Sequence, residues 1–152
     1  MDIILKRSIE WLDRLIAFDT TSRLSNLDLI SDIEKYMNEL GVPTRLTHDK
    51  DKTKANLWCT IGPQDIGGVV LSGHTDVVPI DGQEWTKTPF KMSEESGKLF
   101  GRGTSDMKGF CAIALAMAPE MKSRDLKVPI HFAFSFDEEV GCVGVRHLIK
   151  DV

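Results

Sequence analysis

"PIHFAFSFDEEVG" (residues 129–141) is apolar up to Phe136 apart from His131 and Ser135, then turns abruptly to Asp137, Glu138 and Glu139. A strand of that composition is covered on both faces, which places it inside a sheet sandwiched by helices. The helices can be read upstream and downstream of it. Leu5, Ile9, Leu12 and Ile16 recur at helical spacing, as do Leu27, Ile30, Ile33, Met37 and Leu40 ahead of a glycine stop at Gly41. "TRLTH" (44–48) and "NLWCTIG" (56–62) read as strands joined by the polar connection "HDKDKTK", and "GGVVLSGHTD" (67–76) reads as a third, buried strand. The Gly-, Pro-, Ser- and Thr-rich stretch from Pro79 to Ser105 predicts a long ordered loop, and Phe110, Ile113, Met117 and Met121 mark a helix after Gly109. "GCVGVRHLIKDV" starts a last helix. The predicted fold class is therefore α/β, a three-layer α/β/α sandwich with a mixed sheet. That last helix ends on Asp151 and Val152 without a stop or a following strand, so the expectation is a sandwich incomplete at its C-terminal side.

The bulk composition narrows the function classes. A chain of 152 residues, 41% hydrophobic and 28% charged, can bury a core and is neither disordered nor fibrous. Its net charge is -4 with Lys and Arg scattered singly, which argues against a nucleic-acid partner. Charges break every apolar run in the first twenty residues, so neither a signal peptide nor a membrane span is expected. Cys59, Cys111 and Cys142 are odd in number and far apart, which suits a reducing cytoplasmic location.

Three stretches at the ends of elements carry the chemistry. In "SGHTDVVP" (72–79), residues i and i+2 of an extended chain share a side, so Asp76 can hold one imidazole nitrogen of His74 while the other faces a cation. Taken alone, the pair fits a strand-end histidine satisfied by a carboxylate better than a ligand. In "GRGTSDMKG" (101–109), glycines around Asp106 allow a close backbone approach that aims the carboxylate into a cleft, and an Asp helix cap is the competing reading. The spacing is not that of a phosphate loop. In "FDEEVG" (136–141), three successive like charges repel unless a cation or a proton relieves them, or unless they form a solvated acidic loop. Imidazole and carboxylates without a thiolate suit a catalytic zinc, cobalt or manganese ion.

These three motifs, in this order, resemble the di-zinc deacylases and exopeptidases, which include acetylornithine deacetylases, succinyl-diaminopimelate desuccinylases, aminoacylases and carboxypeptidase G. "VVPIDGQEWTKTPF", "LFGRGTSDMKGF" and "PIHFAFSFDEEVGCVGV" are most similar to the acetylornithine deacetylase branch. The resemblance implies two zinc ions (cobalt being an alternative), with His74 a ligand of one, Asp106 bridging both and Glu139 a ligand of the other. It implies Asp76 as the carboxylate behind His74 and Glu138 as general base. The implied reaction is hydrolysis of a small N-acyl amino acid, N2-acetyl-L-ornithine to L-ornithine and acetate in arginine biosynthesis. Desuccinylase, aminoacylase or dipeptidase activity is the alternative within the family. In such enzymes each zinc takes a further ligand from later in the chain, and an inserted domain makes the homodimer. Residues 1–152 are thus expected to be the N-terminal portion of the catalytic domain, poorly active alone, or the partner-binding half of a split enzyme. His48, His131 and His147 are expected to be structural or surface residues, Cys142 a small buried residue, and Trp85 and Phe90 loop anchors. Arg102 pairs with a carboxylate of the site or of the protein.

Overall fold

In the computed structural model, which describes residues 2–150, the Asp2 carboxylate caps the first helix by accepting from the Ile4 N–H at 3.0 Å. Helix α1 (Ile3–Ile16) then buries Trp11, Leu12, Leu15 and Ile16, and α2 (Leu27–Glu39) buries Leu29, Ile30, Ile33 and Met37. Gly41 ends α2 at φ +69°, where the Gly41 N–H reaches Asn38 O and the Val42 N–H reaches Met37 O. This pair of bonds satisfies carbonyls the helix leaves open and turns the chain toward the sheet.

Strand β1 (Thr44–His48) pairs antiparallel with β2 (Ala55–Ile61), with Leu46 opposite Leu57. Strand β3 (Val69–His74) leads through a short hairpin, β4 (Ser93–Glu95) and β5 (Lys98–Phe100), into α3 (Lys108–Lys122) and then β6 (Ile130–Ser135). The main sheet runs β1-β2-β6-β3, with β6 antiparallel to β2 and parallel to β3. It is mixed, as expected. Helices α2 and α3 pack on the sheet and α1 packs on α3. Together they bury Leu57, Cys59, Ile61, Phe132 and Phe134 on one face. Asn56 and Trp58 alternate to the other face. There Asn56 bonds Gly144 O ahead of the short α4 (Val145–Leu148), and Trp58 stacks on His131 at 4.8 Å.

Two expectations are corrected. β3 is not buried along its length: among the described residues it is an edge strand, with Val69 55% exposed, and only its end at Gly73 and His74 is enclosed. The stretch 79–105 is not wholly loop, because Ser96 (φ +51°) and Gly97 (φ +72°) turn β4 into β5 with two left-handed residues, the geometry favoured for a tight hairpin. Asp151 and Val152, on which the last helix was expected to end, lie outside the described residues.

Candidate metal centre

The parallel pairing of β3 with β6 sets His74 opposite Ser135, so residues leaving the two strands emerge at one end of the sheet. That end is where open α/β sheets form crevices. His74 is 4% exposed. Its Nδ1 lies 3.0 Å from the backbone oxygen of Asp76 and 3.4 Å from the Asp76 carboxylate. The carbonyl contact assigns the proton to Nδ1 and leaves Nε2 facing the crevice. Nε2 lies 3.0 Å from Asp106 Oδ1 and 3.7 Å from Glu138 Oε2. Donor atoms of His74, Asp106 and Glu139 fall within 4.8 Å of one another. The structure thus brings His74, Asp106, Glu138 and Glu139, drawn from all three motifs, to one crevice.

Electrostatics shows what this crowding does to the bare chain. Burial alone depresses the His74 pKa, but hydrogen bonds donated to Asp76 and Asp106 outweigh it and raise the imidazole to about 9. Glu139 is raised, first by burial and then by the Asp106 carboxylate. An imidazole nitrogen beside two carboxylates, one of them, Glu139, disfavoured as an anion by burial and by Asp106, is a donor set that suits zinc or a similar divalent ion.

Asp76 does more than hold the imidazole. Its carboxylate, 2% exposed, accepts from Ser22 Oγ at 2.7 Å, from the Glu138 N–H at 3.0 Å and from the Glu139 N–H at 3.2 Å. These bonds, together with that to His74, hold its pKa below the ordinary carboxylate value although burial pushes the other way. One side chain therefore joins the end of β3 to the acidic turn after β6. Around it, Thr20 Oγ1 donates to Thr75 O and the Val77 N–H to Thr20 O, while Asn26 bridges Ala55 and Thr75. The segment after α1 is the floor of the site.

Other sequence expectations fare variously. Asp106 does not cap α3, whose N-cap is Met107 with no side-chain bond. Cys142 is exposed rather than buried, held at φ +54°, with Sγ 3.5 Å from Glu138 Oε1. Asp137 is turned out of the crevice onto Lys54. His131 bonds Thr60, His147 stacks on Phe136, and neither joins the centre. His48 is exposed on β1. Trp85 lies under the Arg102 guanidinium at 4.8 Å, and Arg102 bonds Gln83 rather than a carboxylate, which ties the 83–102 loop together.

Sequence reasoning missed Ser22, Lys54 and Lys108. Lys108 is 1% exposed and donates to Leu15 O and Phe18 O at the C-terminal end of α1, anchoring the segment that carries Asp106.

The model of the peptidase family M20/M25/M40 matches residues 70–152. The chain is 39% identical over 127 residues to an acetylornithine deacetylase of Shigella sonnei (strain Ss046), an alignment covering 83% of the chain and 33% of that protein. Among solved structures it resembles human carnosine dipeptidase 1, with TM-score 0.77 and 25% identity over 97% of the chain and 36% of that structure. A metallo-carboxypeptidase of Sulfolobus solfataricus shares the fold, with TM-score 0.75 and 24% identity over 99% of the chain and 34% of that structure. The chain spans about a third of the length of these relatives. No described helix is long and apolar enough to cross a membrane.

Proposed function

Since this chain belongs to the peptidase family M20/M25/M40, we propose that it carries the metal-binding core of a metal-dependent amide hydrolase. The proposed substrate is a small N-acyl amino acid, N2-acetyl-L-ornithine, which fits the acetylornithine deacetylase similarity. The observation that carries the reading is the convergence of His74, Asp106 and Glu139 within 4.8 Å at the shared end of β3 and β6, with Glu138 3.7 Å from His74. We assign His74, Asp106 and Glu139 as the side chains that would hold two zinc ions, or cobalt in their place, with Asp106 common to both. Held by these residues, a zinc ion would supply Lewis-acid polarisation of an amide carbonyl and a lowered pKa for water. Asp76 keeps Nδ1 of His74 protonated so that Nε2 can ligate. Glu138, half exposed beside the ligands, takes a proton from the attacking water and returns it to the leaving amine. The reaction would serve arginine biosynthesis in the cytoplasm, and the whole enzyme, of which residues 1–152 are the N-terminal portion, would be a homodimer.

The test is a competition titration of the purified chain with zinc against a chromophoric chelator, followed by an assay of acetate release from N2-acetyl-L-ornithine. Expected outcomes are zinc binding lost in His74→Ala and Asp106→Ala, and slow hydrolysis lost in Glu138→Gln. N-succinyl-diaminopimelate and dipeptides in parallel decide the substrate. A wild-type chain that binds zinc no more tightly than His74→Ala overturns the metal assignment.

A second reading has its own observation. Val69 and Val70 are about half exposed on β3, the edge strand among the described residues, so the chain would act as one half of an assembly completed by a partner. A clean monomer on size exclusion, with full turnover, argues against it.

A further inference from the structure

We propose that Lys54 is a positioning residue for the metal centre, sorting the acidic run so that Asp137 is withdrawn and Glu138 and Glu139 are left to the crevice. The inference rests on the metal-binding reading of that crevice. Three consecutive carboxylates at the end of a buried strand need a counter-charge, and the structure supplies one from a distant part of the chain. Lys54 Nζ lies 2.6 and 2.7 Å from the two carboxylate oxygens of Asp137, with side-chain exposures of 13% and 15%. Asp137 occupies the left-handed region at φ +52°, a backbone conformation disfavoured for a residue with a Cβ. The ion pair accompanies that unfavourable backbone at the point where the acidic turn begins.

The same ammonium group also donates to Ser22 O. Ser22 Oγ holds Asp76, and Asp76 in turn accepts from the N–H groups of Glu138 and Glu139. The contacts close a ring: Lys54, Asp137, the Glu138–Glu139 backbone, Asp76, Ser22 and back to Lys54. Each carboxylate near the centre is thereby given a separate task. With the ammonium removed, Asp137 becomes an unpaired, largely buried anion next to a group of carboxylates, and its cheapest relief is to turn toward any cation there, dragging the Glu138 and Glu139 backbone with it.

The test compares wild type, Lys54→Arg, Lys54→Met and the double variant Lys54→Met/Asp137→Asn, each confirmed folded by circular dichroism. Zinc affinity is measured by chelator competition, and the amide resonances of Glu138 and Glu139 are recorded in the metal-free chain. Loss of a group that orients ligands typically costs 10–100-fold in metal affinity. Lys54→Met is expected to weaken zinc binding at least about tenfold by that standard, and to shift both amide resonances. Lys54→Arg, which keeps the charge and the donors, should leave both readouts near wild type. The double variant, which removes the stranded anion, should recover part of the affinity. Equal zinc affinity and unmoved amide resonances in folded Lys54→Met overturn the proposal. So does an arginine variant as damaged as the methionine one, because that pattern means packing and not charge. If Lys54→Met does not fold, the arginine and double variants decide by the same two readouts. If the wild-type chain binds no zinc, the metal reading fails, and the metal-free amide shifts still decide whether Lys54 sets the acidic turn.

Discussion

Replacing Asp76 with Asn should destabilise the metal-free chain by about 3 kcal/mol. Asp76 Oδ2 accepts from Ser22 Oγ and the Glu139 N–H, and Oδ1 accepts from the Glu138 N–H. Asparagine keeps one oxygen and replaces the other with an NH2 group. With the oxygen kept on the side of Ser22 and Glu139, the Glu138 N–H is left against a donor, which costs about 2 kcal/mol for a buried unmatched group. The two remaining bonds fall from charge-assisted to neutral, about 1 kcal/mol each, partly offset because a carboxylate no longer has to be desolvated. For a chain of this length, about 3 kcal/mol corresponds to a melting point lower by roughly 6–12 °C. Thermal and urea denaturation with a chelator present measures it. The Asp76 pKa is lowered on folding, so its contribution is present above the unfolded value near 3.8 and is lost as pH falls through the folded value. The gap between wild type and variant should therefore close in acid. A loss under about 1 kcal/mol at pH 7, or a gap that does not narrow at low pH, refutes the assignment of Asp76 as the group joining β3 to the acidic turn.

Three further outcomes are expected. His74, raised from 6.5 to about 9, stabilises the metal-free fold fully below pH 6.5 and less as pH rises through 9; Lys108, lowered from 10.5 to about 8 chiefly by burial, contributes in the opposite sense, its penalty growing as pH falls from 10.5 through 8. Urea titrations from pH 6 to 10 should therefore lose the first slope in His74→Gln and the second in Lys108→Met. With an aromatic disulfide reagent, the exposed Cys142 should be the first thiol of the native chain to react while buried Cys59 and Cys111 wait for denaturation, and Cys142→Ser should abolish that native-state phase. Gly144→Ala should cost at least about 2 kcal/mol by urea denaturation, because the added Cβ would meet Phe136 O at 2.3 Å and Asn56 Oδ1 at 2.7 Å.

Much of this arrangement was legible because it is local. Helical periodicity found α1 and α2, and the apolar run 130–136 found β6 and with it the α/β class. His74, Asp106, Glu138 and Glu139 stood out because each ends an element. The supporting residues were hidden for a topological reason: Ser22 meets a partner 54 positions away and Lys54 one 83 positions away. In the sequence Lys54 is one of several lysines in a solvated-looking connection, and nothing local separates it from Lys50 or Lys52. The edge position of β3 was equally hidden, since an apolar strand reads alike whether one neighbour flanks it or two. Cys142 was misplaced because small size suggests burial, whereas the turn that carries it is fixed by backbone bonds to Glu138 O and Asp137 O.

Among the described residues, β3 is bonded to a single neighbour, β6. The strand bearing His74 can therefore fray by breaking one ladder, without the global unfolding that release of β6 from its two neighbours would require. Its His74 end is held in addition by Asp76 and by the Thr20–Thr75 and Thr20–Val77 bonds, so fraying starts at the exposed Val69 end. An ion held between the ends of β3 and β6 would act as a clasp on that fraying edge, slowing amide exchange along Val69–His74 first and most.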